Sequence, residues 1–76
     1  MNQDLDTRVS DLDFTTVSGV TSRLDTRIRN GLQRGGIMNL GQLCRMTDLP
    51  QGLGAWCAQV IQKKLKSMGL KANVRP

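Results

Sequence analysis

Histidine, tyrosine and glutamate are absent from this chain, and its six acids are all Asp. Without His, no side chain titrates near neutrality by default, and no Ser–His or Cys–His pair can generate a nucleophile. The aspartates are scattered singly instead of facing each other in pairs, so the composition points away from an enzyme. Aromatic residues are reduced to Phe14 and Trp56. A sandwich or barrel core normally draws on more aromatic and β-branched content, so the balance leans helical. The two cysteines, Cys44 and Cys57, lie in apolar patterns with no CxxC and no His beside them. They read as small buried hydrophobes, not as a disulfide or a metal set, and neither metal nor cofactor is expected. No apolar run approaches the ~18 residues that suggest a membrane span. The polar, acidic beginning does not resemble a signal peptide, and a cytoplasmic location is the expectation.

What is present is basic charge, unevenly placed. Eleven Lys and Arg face the six Asp for a net +5, on a chain of 76 residues that is 38% apolar. A chain of this size holds one domain and one small core. Residues 1–13 carry Asp4, Asp6, Asp11 and Asp13 against Arg8, a net −3, which leaves +8 for the remainder. The segment 1–13 has no apolar periodicity and reads as a flexible acidic tail, with a folded domain over 14–72 and a short basic tail over 73–76. A basic body suggests a polyanionic partner, nucleic acid first, although a solvated basic face on an ordinary soluble domain has the same composition.

The pattern predicts an all-α bundle of four or five short helices. Phe14–Val20 is read as an irregular lead-in that packs Phe14, Val17 and Val20 on the core. A first helix is expected from about Thr26 to Arg34 with Asp25 as its N-cap. Ile28 and Leu32 would face inward, and Arg27, Asn30 and Arg34 outward. Gly35-Gly36 ends it. Asn39 should cap a short helix from Leu40 to about Met46, with Leu40, Leu43 and Cys44 as its apolar stripe. Thr47, Asp48 and Pro50 signal another turn, with room for a single extra helical turn. The last helix is expected over Ala55 to about Ser67, with Ala58, Ile61, Leu65 and Met68 buried, Gly69 closing it and Leu70 folding back.

The most specific local pattern is Gly52-Leu53-Gly54 opening that last helix, with Ala58 four residues on and Ile61 three after that. It looks like the second half of a helix-hairpin-helix motif, in which glycines allow a sharp turn and a close approach to phosphate while Leu53 plugs the core. A plain turn between two helices has the same residues. Taken over the whole chain, Leu24-x-x-Arg27-x-x-Asn30-x-Leu32, Ile37-x-x-x-Gly41-x-Leu43, Leu53-Gly54, Ile61, Leu65 and Gly69-Leu70 resemble the C-terminal domain of the bacterial RNA polymerase α subunit. The resemblance spans roughly residues 20–72 and implies a small helical domain of the helix-hairpin-helix type that grips A/T-rich promoter DNA in the minor groove and docks transcription activators. It implies that Arg27 enters the groove, that Asn30 supports it and that the hairpin around Gly52 and Gly54 meets backbone phosphate. A narrow A/T groove has enhanced negative potential, which suits an inserted Arg.

The departures from that family change the expectation. Where the family carries a lysine and a serine after the hairpin glycine, this chain has Trp56 and Cys57, and a polar position one turn later is Val60. The segment 48–52 is also a few residues shorter. Trp56 and Val60 are four apart, on the side away from Ala58, Ile61 and Leu65, with Lys63 on the same outer side. As an exposed pair they would suit a protein interface; alternatively the lead-in folds over and covers them. Lys63 is a candidate peripheral phosphate contact or one of several solvated lysines at a helix end. Two functions are therefore expected. The first is DNA binding through Arg27, Asn30, Arg34, Gly52, Gly54 and Lys63. The alternative is a protein-interaction module that mimics the polymerase domain and binds RNA polymerase or a transcription regulator through Trp56 and Val60.

Overall fold

The computed structural model describes residues 5–75. Among them it has three α-helices, α1 (Ser22–Arg34), α2 (Leu40–Arg45) and α3 (Ala55–Ser67), preceded by two 3-10 turns at Val9–Asp11 and Phe14–Thr16. The architecture is all-helical, but the expected four or five helices reduce to three. The single extra turn expected around 47–50 does not form, the chain there being irregular, and the leading segment contributes only the two 3-10 turns. No helix among the described residues is long and apolar enough to cross a membrane.

Helix α1 begins earlier than its sequence suggests. Thr21, not Asp25, is the N-cap, its side chain accepting from the Leu24 N–H at 3.2 Å. Asp25 is instead buried in the first turn. Its Oδ1 accepts the Phe14 N–H at 2.8 Å and its Oδ2 pairs with Arg29 Nη2 at 2.7 Å, so it fastens the leading segment to the helix. The two long helices end alike. Beyond α1, Gly36 takes φ +84° and the Ile37 N–H returns to the Leu32 carbonyl; beyond α3, Gly69 takes φ +75° and the Leu70 N–H returns to that of Leu65. In each case the apolar residue after glycine folds back onto the core.

Val9, Phe14, Ile28, Leu32, Leu40, Leu43, Val60, Ile61, Leu65 and Val74 are fully enclosed. Burying the Phe14 side chain alone is worth on the order of 2–3 kcal/mol. Two of these residues lie where tails were expected. The described part of the leading segment is packed: Val9 and Leu12 are buried, the Val9 N–H bonds to the Met38 carbonyl, and Thr7 and Leu5 accept from the Leu40 and Gly41 N–H groups. Those two carbonyls satisfy free donors at the start of α2, and Asn39 satisfies a third by accepting from the Gln42 N–H at 2.8 Å. At the other end Val74 is buried, its carbonyl accepts from Gln62, and Asn73 and Arg75 donate to the carbonyls of Cys44 and Thr47. Residues 1–4 and 76, the extremes of the expected tails, lie outside the described residues.

Candidate nucleic-acid interface

On a helix of 3.6 residues per turn, Arg27, Asn30 and Arg34 share one stripe of α1, and all three are exposed. Adjacent to that stripe α1 carries Gly31 and, at its C-cap, Gly35. A Cβ on Gly31 would come within 2.7 Å of Leu53, and one on Gly35 within 2.5 Å of the Pro50 ring. The missing side chains let the 50–53 turn settle directly on the helix. Leu53 packs against the core from there, and its N–H donates to the Pro50 carbonyl at 3.3 Å. Gly52 at the tip takes φ +97°, a conformation that glycine adopts without strain.

Helix and turn enclose an open cleft of about 290 Å³ lined by Arg27, Asn30, Gly31, Arg34, Gln51, Gly52 and Leu53. Its lining holds two guanidiniums, two carboxamides and exposed glycine backbone, with no carboxylate among the described residues. Arg27 Nη2 donates to the Gly52 carbonyl at 3.4 Å, a long bond that ties the arginine loosely to the turn. The four expected contact residues Arg27, Asn30, Arg34 and Gly52 are therefore brought together. Gly54 is not in the lining; it is the N-cap of α3, in extended backbone and without a side-chain cap.

Lys63 is elsewhere as well. Its ammonium lies 5.6 Å from the centre of the Trp56 ring, a cation–π arrangement on the outer side of α3. Trp56 is 42% exposed, whereas Val60 is fully buried. The Trp56–Val60 surface pair is thus corrected to a lone Trp56: α3 buries a wide arc comprising Cys57, Ala58, Val60, Ile61 and Leu65, and the second 3-10 turn of the leading segment packs against this helix. Lys64, next in sequence, donates to Thr16 Oγ1 at 2.8 Å and is occupied in holding that segment.

Three contributors escaped the sequence reading. Gly31 is a glycine inside a helix, a position that costs ~1 kcal/mol relative to Ala and so signals close packing. Gln51 lines the cleft without belonging to any motif. Arg29 had no assigned role, and it joins Asp25 to the Ser10 carbonyl, 2.9 Å from its Nη1. The remaining titrating features lie away from the cleft. The Asp13 carboxyl is held below its ordinary value, chiefly by the Thr15 hydroxyl and then by the Thr15 N–H, and burial pushes the Cys44 thiol up. No family model matches the chain, and no curated protein or solved structure matches it significantly.

Proposed function

We propose that this chain is a DNA-binding, transcription-associated domain that takes A/T-rich duplex by its minor groove. The observation that carries the reading is the carboxylate-free cleft in which Arg27, Asn30 and Arg34 face the glycine turn. Arg27 enters the groove, Asn30 supports it, Arg34 adds charge at the rim, and the exposed Gly52 backbone approaches a phosphate. The residue pattern of the RNA polymerase α C-terminal domain assigns the same roles to Arg27, Asn30 and the turn. With few phosphate contacts, binding is modest and strongly salt-dependent, and its preference is confined to A/T content and groove shape.

The test is a titration of labelled A/T-rich and G/C-rich duplexes at two salt concentrations with wild type and Arg27→Ala. Salt-sensitive, A/T-biased binding that drops by roughly tenfold or more in Arg27→Ala is the expected result, in line with the ~1–3 kcal/mol value of a good specific contact. Binding indifferent to Arg27, or none at low salt, overturns it. A second reading rests on the 42% exposure of Trp56, a residue type enriched among interface anchors. In it the domain mimics the polymerase module and docks on RNA polymerase or a regulator through Trp56, without Val60.

A further inference from the structure

Arg23 lies one turn before Arg27 on α1, so Arg23, Arg27, Asn30 and Arg34 stand at i, i+4, i+7 and i+11. At 100° per residue the four fall within about 60° of arc, a straight stripe parallel to the helix axis. All four are exposed. Arg23 and Arg34 end the stripe about 16 Å apart at 1.5 Å per residue, with Arg27 and Asn30 between them. Neither end arginine has a side-chain hydrogen bond or ion pair among the described residues; the acid nearest Arg23 in sequence, Asp25, is buried and held by Arg29 and Phe14. Arg23 also occupies the first helical turn, where the helix dipole disfavours a cation. Stability therefore supplies no reason for a positive charge there, whereas an anionic ligand does.

Building on the minor-groove reading, we infer that Arg23 and Arg34 hold phosphates on opposite strands, so that α1 crosses the groove. The ligand this geometry selects is duplex DNA with charged backbone on both sides of an A/T tract. The groove is ≈ 6 Å wide and walled by the two backbones. With Arg27 centred over it, Arg23 lies about 6 Å to one side and Arg34 about 10 Å to the other along the axis, and both side chains are long enough to lean inward onto a wall. A helix laid along the groove would bring both arginines to the same wall or to the groove floor.

The test uses one A/T-rich duplex in three forms: fully charged, and with neutral methylphosphonates flanking the tract on either one strand or the other. Affinities are measured by fluorescence anisotropy for wild type, Arg23→Ala, Arg23→Lys, Arg34→Ala and Arg27→Ala, with circular dichroism confirming that each is folded. Wild type is expected to weaken several-fold when either strand is neutralised. Arg23→Ala loses most of its sensitivity to one strand and keeps its sensitivity to the other. Arg34→Ala shows the reciprocal pattern, with the Gly52 backbone contact leaving some sensitivity on one strand in both. Each alanine lowers the slope of log affinity against log salt by about 0.9, while Arg23→Lys retains it. Unchanged slope and strand sensitivity in Arg23→Ala, or loss of the same strand by both variants, overturns the clamp. Arg27→Ala separates the two levels: if it leaves A/T binding intact, the groove reading itself has failed, and if it abolishes binding while the flanking arginines are inert, only the clamp has.

Discussion

Replacing Asp25 with Ala removes the residue that joins the leading segment to α1, and its cost can be worked from the contacts. Asp25 is 5% exposed and accepts two bonds, from the Phe14 N–H and from Arg29. A hydrogen bond to a charged acceptor contributes about 1.5–3 kcal/mol, and the Phe14 N–H left without a partner bears a desolvation penalty of similar size that overlaps it. The Arg29 side chain retains 29% exposure, so its half of the ion pair is partly screened and adds no more than about 1 kcal/mol. The total is about 3 kcal/mol, out of the ~4–11 kcal/mol ordinary for a chain of this length. Asp25→Asn keeps an oxygen for Phe14 but turns an amide N–H donor toward Arg29, losing that hydrogen bond as well as the charge, for about 1–2 kcal/mol. Urea denaturation followed by circular dichroism should therefore rank wild type above Asp25→Asn above Asp25→Ala, with the Ala variant melting ~12–24 °C lower. An alanine loss under about 1 kcal/mol, or an Asn variant no better than Ala, would refute the latch.

Gly35→Ala places a Cβ against the rigid Pro50 ring and should displace the turn, costing about 1–3 kcal/mol by overpacking and, on the proposed function, weakening DNA binding with it. Gly31→Ala meets Leu53 Cγ and both its Cδ carbons at 2.7–3.1 Å, and the ~1 kcal/mol gain in helix propensity offsets only part of an overpacking cost of about 1–3 kcal/mol; the same denaturation assay should find a net loss of up to about 2 kcal/mol, smaller than that of Gly35→Ala. The Asp13 carboxyl, with its lowered folded pKa, adds stability that is complete above the unfolded value and disappears as pH falls through the folded one; an NMR titration should find its midpoint below 3.8 in wild type and raised in Thr15→Val. Cys44, whose thiol burial pushes up, should alkylate more slowly at pH 8 than a free thiol, and Cys57, 6% exposed, should react only on unfolding, as peptide mapping after iodoacetamide would reveal.

Periodicity and capping residues carried much of the helical core. The 3.6-residue rhythm of Ala58, Ile61 and Leu65 and the Asn39 cap identified α3 and α2 closely, because both are governed by local rules. The start of α1 was misplaced since Thr21 and Asp25 are both good N-caps. The choice falls to a contact eleven residues away, the bond between Asp25 and the Phe14 N–H, which local sequence cannot reveal. The packing of the leading segment is hidden from sequence for a related reason. Val9 and Leu12 are isolated among polar residues, and what buries them is backbone pairing with 38–41. The Trp56–Val60 face has two readings in sequence, exposed or covered; the covered one holds for Val60 and the exposed one for Trp56. Of the candidate site, the arginine stripe and the hairpin glycine were legible; the docking of the turn on Gly31 and Gly35 was not, because a glycine shows that space is needed without showing what fills it.

The uneven charge of the chain takes on a spatial meaning once the leading segment is packed. Had Asp11 and Asp13 been free on a tail, they would have been able to reach the basic cleft and compete with phosphate for it. Instead Asp13 is spent on capping the second 3-10 turn, the Ser10 carbonyl takes Arg29, and Lys64 reaches the hydroxyl of Thr16. The segment thus engages the cations Arg29 and Lys64, while the described residues that line the cleft beside Arg27 and Arg34 include no acid. On the proposed DNA-binding reading, the Asp25 latch is coupled to binding as well as to stability. Releasing the segment would free acidic side chains near the stripe, so Asp25→Ala should weaken DNA binding at low salt beyond its unfolded fraction, and recover relative to wild type as salt screens the freed charges. Equal weakening at all salt concentrations would mean that the segment contributes packing alone.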